Sequence, residues 1–183
     1  MATTRLIPMH QNNGKSVSQC LTDRTEYAKN ADKTANGVFI SAYECDPATV
    51  DAEFLIAKRI YADRTGRSQQ NDVIAYQVRQ SFKPGEVTPE EANRIGYEFA
   101  ERFLKGKHAF IVATHTDREH IHSHFLINSV NFDTGKKLHI AKEQLQELRQ
   151  RNDQVCMEFS LPVFQPKDRK QKTKTMTVGE YHT

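Results

Sequence analysis

Residues 109–128 alternate in a way that leaves the chain few options. Ala109-Phe-Ile-Val-Ala-Thr-His115 is strand-like, Thr116-Asp-Arg-Glu119 is polar enough to turn, and His120-Ile-His-Ser-His-Phe-Leu-Ile-Asn128 sets histidines between other side chains. Side chains two apart along a strand share a face. His120, His122 and His124 therefore point one way, and Ile121, Phe125 and Ile127 the other. A hairpin centred between Arg118 and Glu119 puts His115 opposite His122, with His124 on the diagonal of the same face. Opposed Cβ atoms lie about 4.5–5.5 Å apart and diagonal ones roughly 7–8 Å. Three imidazoles can then converge on one ion.

A single histidine on a strand is ordinarily a packed or solvated residue, and His-x-His pairs arise by chance. The argument for a metal is the register, which aligns three of the chain's eight histidines. Three neutral imidazoles leave coordination positions open, which suits a catalytic ion better than a closed structural one. Asp117 is placed to accept the other ring N–H of one ligand, or serves simply as a turn aspartate.

Length and composition set outer bounds. A chain of 183 residues fits one domain with a sizeable core, and 27% charged residues imply wide polar faces. No apolar run reaches the roughly 18 residues that span a bilayer, and the N-terminus MATTRLIPMHQNNGK lacks the apolar core of a signal peptide. Cys20, Cys45 and Cys156 are odd in number, widely spaced and without a Cys-x-x-Cys pair. They read as reduced thiols of a cytoplasmic protein, not a disulfide frame or zinc ribbon. The net charge of +3 permits a nucleic-acid partner without demanding one. Basic residues concentrate at Lys58, Arg59, Arg64 and Arg67, at Lys136-Lys137, and between Gln165 and Lys174. Such runs are either solvated surface or phosphate contacts. Residues 1–164 are expected to form one domain, and 165–183 a basic tail leading into a C-terminal region outside this chain.

The remaining pattern predicts strands at Thr4 to Met9, Val38 to Tyr43 and Val73 to Phe82, and a short extended piece from Lys137 to Ile140. Helices are expected from about Val17 to Asn30 behind a Ser16 cap, Ala48 to Asp63 after Pro47, Thr88 to Leu104 with a capping box, and Lys142 to Phe159 before Pro162. The predicted class is α/β: an antiparallel-rich central sheet with helices packed on one face, the Ile121/Phe125/Ile127 side, leaving the histidine side open.

At this point the chain resembles a known family. His115-Thr-Asp117 with His122-x-His124 and Asn128 is similar to the three-histidine motif of relaxases, the HUH-type nucleases that nick transfer origins. Asp23-Arg-Thr-Glu-Tyr27-Ala-Lys-Asn30 followed by Lys33-Thr34 resembles the nucleophile motif of the MOBP clade, in the form associated with conjugative transposons of Gram-positive bacteria. The resemblance covers about residues 4–160. It implies a sandwich of relaxase type and a tyrosine that attacks a phosphodiester to leave a 5′-phosphotyrosine and a free 3′-hydroxyl, so that the strand can later be rejoined. It also implies a divalent ion, Mn²⁺ or Mg²⁺, with Mn²⁺ expected to bind more tightly at imidazoles. The implied partners are transfer-origin DNA, single-stranded or hairpin, and accessory transfer proteins.

Of six tyrosines, Tyr61 and Tyr97 sit on amphipathic helices, Tyr43 and Tyr76 in strands, and Tyr181 in the tail. Tyr27 has a wholly polar setting near a helix end, and the resemblance selects it as nucleophile. Asp117 is then the expected partner of His115. His120, where many relatives carry another polar residue, is left out of the ligand set of His115, His122 and His124. Two other functions fit the same residues: a three-histidine metallohydrolase using metal-bound water, and a non-catalytic single-stranded DNA-binding or replication-initiator module. A covalent protein–DNA adduct separates both from a relaxase.

Overall fold

The computed structural model describes residues 2–67 and 72–163; the basic tail at 165–183 lies outside them. In chain order the elements are β1 (Thr3–Met9), α1 (Val17–Ala28), β2 (Ile40–Tyr43), α2 (Val50–Thr65), β3 (Ala75–Ser81), α3 (Pro89–Phe103), β4 (Phe110–His115), β5 (His122–Ile127) and α4 (Lys142–Glu158). The five strands form one sheet in the order β1-β3-β5-β4-β2, and each neighbouring pair is antiparallel. The α/β class with an antiparallel sheet is as the pattern predicts. Of the piece from Lys137 to Ile140, only a bridge between Lys137 and Val130 forms.

Local chemistry accounts for most boundaries. Ser16 caps α1 by accepting from the Gln19 amide at 3.0 Å. Thr88 and Glu91 complete a reciprocal capping box ahead of α3, with Pro89 at its first turn. On α3 the stripe Ala92, Ile95, Phe99 and Phe103 is buried against Val78, Phe110, Val112, Phe125 and Ile127, with α4 contributing Leu148, Val155 and Cys156. Contact between α3 and the sheet is close. A Cβ on Gly96 would lie 2.9 Å from a Val112 methyl and 3.0 Å from the Phe125 ring.

The helices do not all lie on one face. α3 and α4 take the face that the sequence pattern assigns, whereas α1 and α2 cover part of the opposite, histidine-bearing face. There Cys20, Leu21, Ala28, Val50 and Phe54 pack on Met9, Ala75, Ile111, Ala113 and Leu126. The physical reason lies in the strands: on this face histidines occupy only the turn end of β4 and β5, and Ile40, Ala42, Ile111, Ala113 and Leu126 make the rest of the β2, β4 and β5 surface apolar, so that it gains from being covered. A Thr22 to Asp51 hydrogen bond of 2.8 Å joins α1 to α2. Two of the basic concentrations also find structural partners. Lys58 and Lys137 both approach Asp72, at 3.8 and 3.5 Å, and Arg64 donates to the Gly135 carbonyl at 2.8 Å.

Candidate metal centre and nucleophile

The β4–β5 register sets His115 opposite His122 and Ala113 opposite His124, the hairpin expected from the alternation. His115, His122 and His124 each present a ring nitrogen, and these three atoms lie within 4.8 Å of one another. The three rings have centroids 4.3–5.2 Å apart.

Hydrogen bonding sorts the ring nitrogens into bonded and available. Nε2–H of His115 donates to the Ala28 carbonyl at the end of α1, 2.8 Å away, which leaves Nδ1 as a bare lone pair. His122 Nδ1 faces the His120 carbonyl at 3.4 Å, so its Nε2 is the nitrogen turned to the cluster. His115 Nδ1 and His124 Nε2 are buried without any hydrogen-bond partner. Buried polar atoms are ordinarily satisfied, and two orphaned lone pairs in one cluster fit a cation that accepts both.

Electrostatics favours the neutral, ligating form. Burial, reinforced by the charges of the neighbouring imidazoles and Arg79, pushes His124 down to about 3. His122 is pushed down to about 4, again chiefly by burial, and burial lowers His115 as well. Such rings present lone pairs, not N–H⁺ groups, at neutral pH.

Tyr27 projects from the last turn of α1 directly over this cluster. Its ring stands edge-on to His124 at 5.6 Å and to His115 at 5.9 Å, and the residue is 46% exposed. The Lys33 ammonium lies 4.6 Å from the ring centroid. The other described tyrosines are engaged elsewhere: Tyr43 donates to the Gly106 carbonyl, Tyr76 to the Leu138 carbonyl, Tyr97 packs on Phe110, and Tyr61 sits under Lys137. Tyr181 is outside the described residues.

Asp117 does not take the role expected of it. The His115 ring N–H goes to Ala28, and Asp117 instead approaches Lys33, Oδ2 to Nζ at 3.7 Å. The helix end wins because it brings a carbonyl into the buried space behind the ring, where the exposed turn carboxylate does not reach. Asp117 still acts on the site through charge, drawing His115 and His122 slightly upward against the effect of burial. His120 stays outside the cluster, its ring 5.4 Å from that of His122. Asn128 is a turn residue at the far end of β5, its side chain accepting from the Val130 amide. The sequence reading missed the Ala28 carbonyl, which no side-chain pattern can announce. It also missed Arg79, which the pairing of β3 with β5 sets beside His124.

The family model for relaxases, described as MobA/VirD2-like, nuclease domain, matches residues 27–161, and the chain belongs to this family. Protein rlx of Staphylococcus aureus is 37% identical over 163 residues, covering 89% of this chain and 45% of that protein. The group II intron-interrupted relaxase LtrB of Lactococcus lactis subsp. cremoris is 33% identical over 137 residues, 64% of this chain and 24% of LtrB. The chain thus spans less than half the length of these relatives. Among solved structures, the MobM relaxase domain, Mn-bound and in complex with plasmid pMV158 oriT DNA, superposes with a TM-score of 0.61. Identity is 13%, with 91% of this chain and 90% of that one covered. A structure concerned with vancomycin resistance transfer in Staphylococcus aureus gives a TM-score of 0.57 at 18% identity, over 89% of this chain and 96% of that one. Both share the fold.

Proposed function

We propose that this chain nicks one strand of transfer-origin DNA through a covalent 5′-phosphotyrosine on Tyr27, and rejoins it, with a divalent ion held by His115, His122 and His124. The observation that carries this is the stacking order: an accessible phenol edge-on over two imidazoles whose lone pairs have no protein partner. The Mn-bound, oriT-bound state of the MobM relaxase domain supports the same choice of ion and substrate here.

Held by His115, His122 and His124, a divalent ion, Mn²⁺ or Mg²⁺, would neutralise charge developing on the scissile phosphate. The chain's own residues supply the rest. Tyr27 gives the nucleophile; its oxygen bonds to phosphorus as the bond from phosphorus to the 3′-oxygen breaks. The phenolic proton passes to solvent, and the released 3′-oxygen takes one up as a hydroxyl. Lys33 sets a cation beside the phenol, and Asp117 restrains that lysine. The bond energy is kept in the phosphotyrosine ester, so attack by a 3′-hydroxyl reverses the step. His115 couples the two halves of the site, because its bond to Ala28 ties a metal ligand to the residue next to the nucleophile. Acting through Lys33, Asp117 is a positioning residue. Residues 165–183 add phosphate contacts in this scheme, and accessory transfer proteins complete the assembly at the origin. Among the described residues no helix is long and apolar enough to cross a membrane; the reaction is assigned to the cytoplasm.

The test is a denaturing gel of the chain incubated with Mn²⁺ and single-stranded oligonucleotides from the DNA that encodes it. The wild type leaves a 5′ portion with a free 3′ end and moves the 3′ portion into a protein-linked band. Tyr27→Phe removes one oxygen, keeps the ring, and abolishes both nick and adduct while Mn²⁺ binding persists. An adduct that survives in Tyr27→Phe transfers the role to another tyrosine. Nicking without any adduct in the wild type replaces the mechanism with hydrolysis by metal-bound water.

A further inference from the structure

α1 covers the centre of the histidine face but stops short of β1. Between them runs a trough of about 470 Å³, floored by strands β1 and β3 and walled by α1, with Tyr27 in its lining. Register fixes what lies along it. Ile7 and Gln77 are cross-strand partners in the floor, and Gln77 is in turn opposite Leu126 of β5. The next row on the same face is Arg5, Arg79 and His124, paired in that order across β1, β3 and β5. Both arginines are exposed. Rows on one face repeat roughly every 6.6–6.8 Å along a strand, a step comparable to one nucleotide of extended single strand.

Charge along the trough suits a polyanion. Asp23, the acidic member of its wall, is held by Lys15 at 2.8 Å, so Arg24 within the trough and the arginine pair in the adjoining row of the sheet make the local charge net positive. The floor offers an apolar seat at Ile7 and, beside it, a half-buried carboxamide at Gln77. A carboxamide donates and accepts together, and so can pair two-fold with the edge of a base.

Building on the relaxase function proposed above, we propose that this trough seats the base of a nucleotide next to the scissile phosphate. Gln77 reads the edge of that base, Ile7 supports its face, and Arg5 with Arg79 holds the adjoining phosphate. The trough is thereby a determinant of where Tyr27 cuts, separate from the ion that assists the cut. Its continuity with the cluster carries the inference: the same α1 turn that presents Tyr27 forms one wall, and the row containing His124 ends in the two arginines.

The experiment first maps the nick, by sequencing strand ends trapped as adduct from denatured fragments of the DNA that encodes this chain. Oligonucleotides are then made with each of the four bases, and with an abasic site, at the positions on either side of the nick. The wild type is expected to discriminate among bases at one flanking position by roughly 10–100-fold in nicking rate, the size of a good two-fold base contact. Gln77→Ala should compress that ratio to within about threefold at that position while leaving preferences farther away intact. The abasic site removes the Ile7 contact as well, so it should slow the wild type more than Gln77→Ala slows cutting of intact DNA, and have a smaller effect in the variant than in the wild type. Mn²⁺ affinity, measured in parallel, reports that the variant is folded. Flanking-base preferences that are the same in wild type and Gln77→Ala overturn the proposal, as does an abasic strand cut at the full wild-type rate. A wild type that yields no adduct at all overturns the relaxase mechanism first, and the trough with it.

Discussion

His124 and Phe125 are neighbours in sequence and opposites in everything else. Phe125 points into the face covered by α3 and α4, where its ring meets Phe99 edge-on at 5.7 Å and closes against Gly96. Most polar groups buried on that face are bonded across elements: Gln80 donates to Asn152 at 2.7 Å, although its own side-chain oxygen is left without a partner, and the Asn93 carboxamide reaches the Phe39 carbonyl at 2.8 Å and the Thr114 hydroxyl at 3.2 Å. His124 points into the other face, where its Nε2 and the Nδ1 of His115 are buried and bonded to nothing. One face of a single strand is thus packed for stability. The other gathers two lone pairs in one cluster that no protein group meets.

Swapping the two residues for alanine in turn tests that division most severely. Phe125→Ala removes a fully buried ring and is expected to cost roughly 3–5 kcal/mol of stability. His124→Ala removes a group that burial penalises and should cost the metal-free protein far less, while abolishing the rise in Tm that Mn²⁺ produces in the wild type. Saturation at 100 times Kd gives about 2.7 kcal/mol of such stabilisation. Thermal melts with and without Mn²⁺ read both numbers; equal losses in the metal-free variants would erase the distinction between the faces.

Acid should weaken the histidine face before it touches the rest. His108, His115, His122 and His124 are all held below the ordinary 6.5, with His122 near about 4 and His124 near about 3, mainly by burial. An unfolded chain takes up protons on these rings as the pH drops below 6.5, and the folded chain does not. Stability is therefore complete above about pH 6.5 and declines from there toward about pH 4. The decline begins above the range in which the lowered carboxylates Asp23, Asp51, Asp117 and Glu158 protonate. Denaturant melts of the metal-free protein between pH 7.5 and 4.5 check this, and a midpoint independent of pH down to about 5 contradicts it.

The smallest effect is expected at Asp117. A carboxylate bonded directly to a metal-ligating imidazole typically supports affinity by 10–100-fold. Asp117 contacts Lys33 instead, through a partly exposed ion pair, and such pairs contribute little. Calorimetry on Asp117→Ala should show Mn²⁺ affinity reduced by less than about tenfold. A larger drop would restore the direct role that the sequence suggested.

Much of the site was legible without coordinates. Alternation at 120–127 and the polar turn at 116–119 are local signals, and together they set the pairing of His115 with His122. Thr88 with Glu91 announced the start of α3 in the same local way. Tyr27 was legible through its motif and polar flanks, although not its position over the rings. What tertiary structure alone decided are the relations between segments far apart in the chain. These include the placement of α1 and α2 on the histidine face, the Ala28 carbonyl behind His115, the alignment of Arg5 and Arg79 with His124, and the trough beside Tyr27. Periodicity tells a strand which residues share a face but not what will cover that face. The cover is chosen by the apolar area that all the strands expose together, and no single segment of the sequence contains that sum.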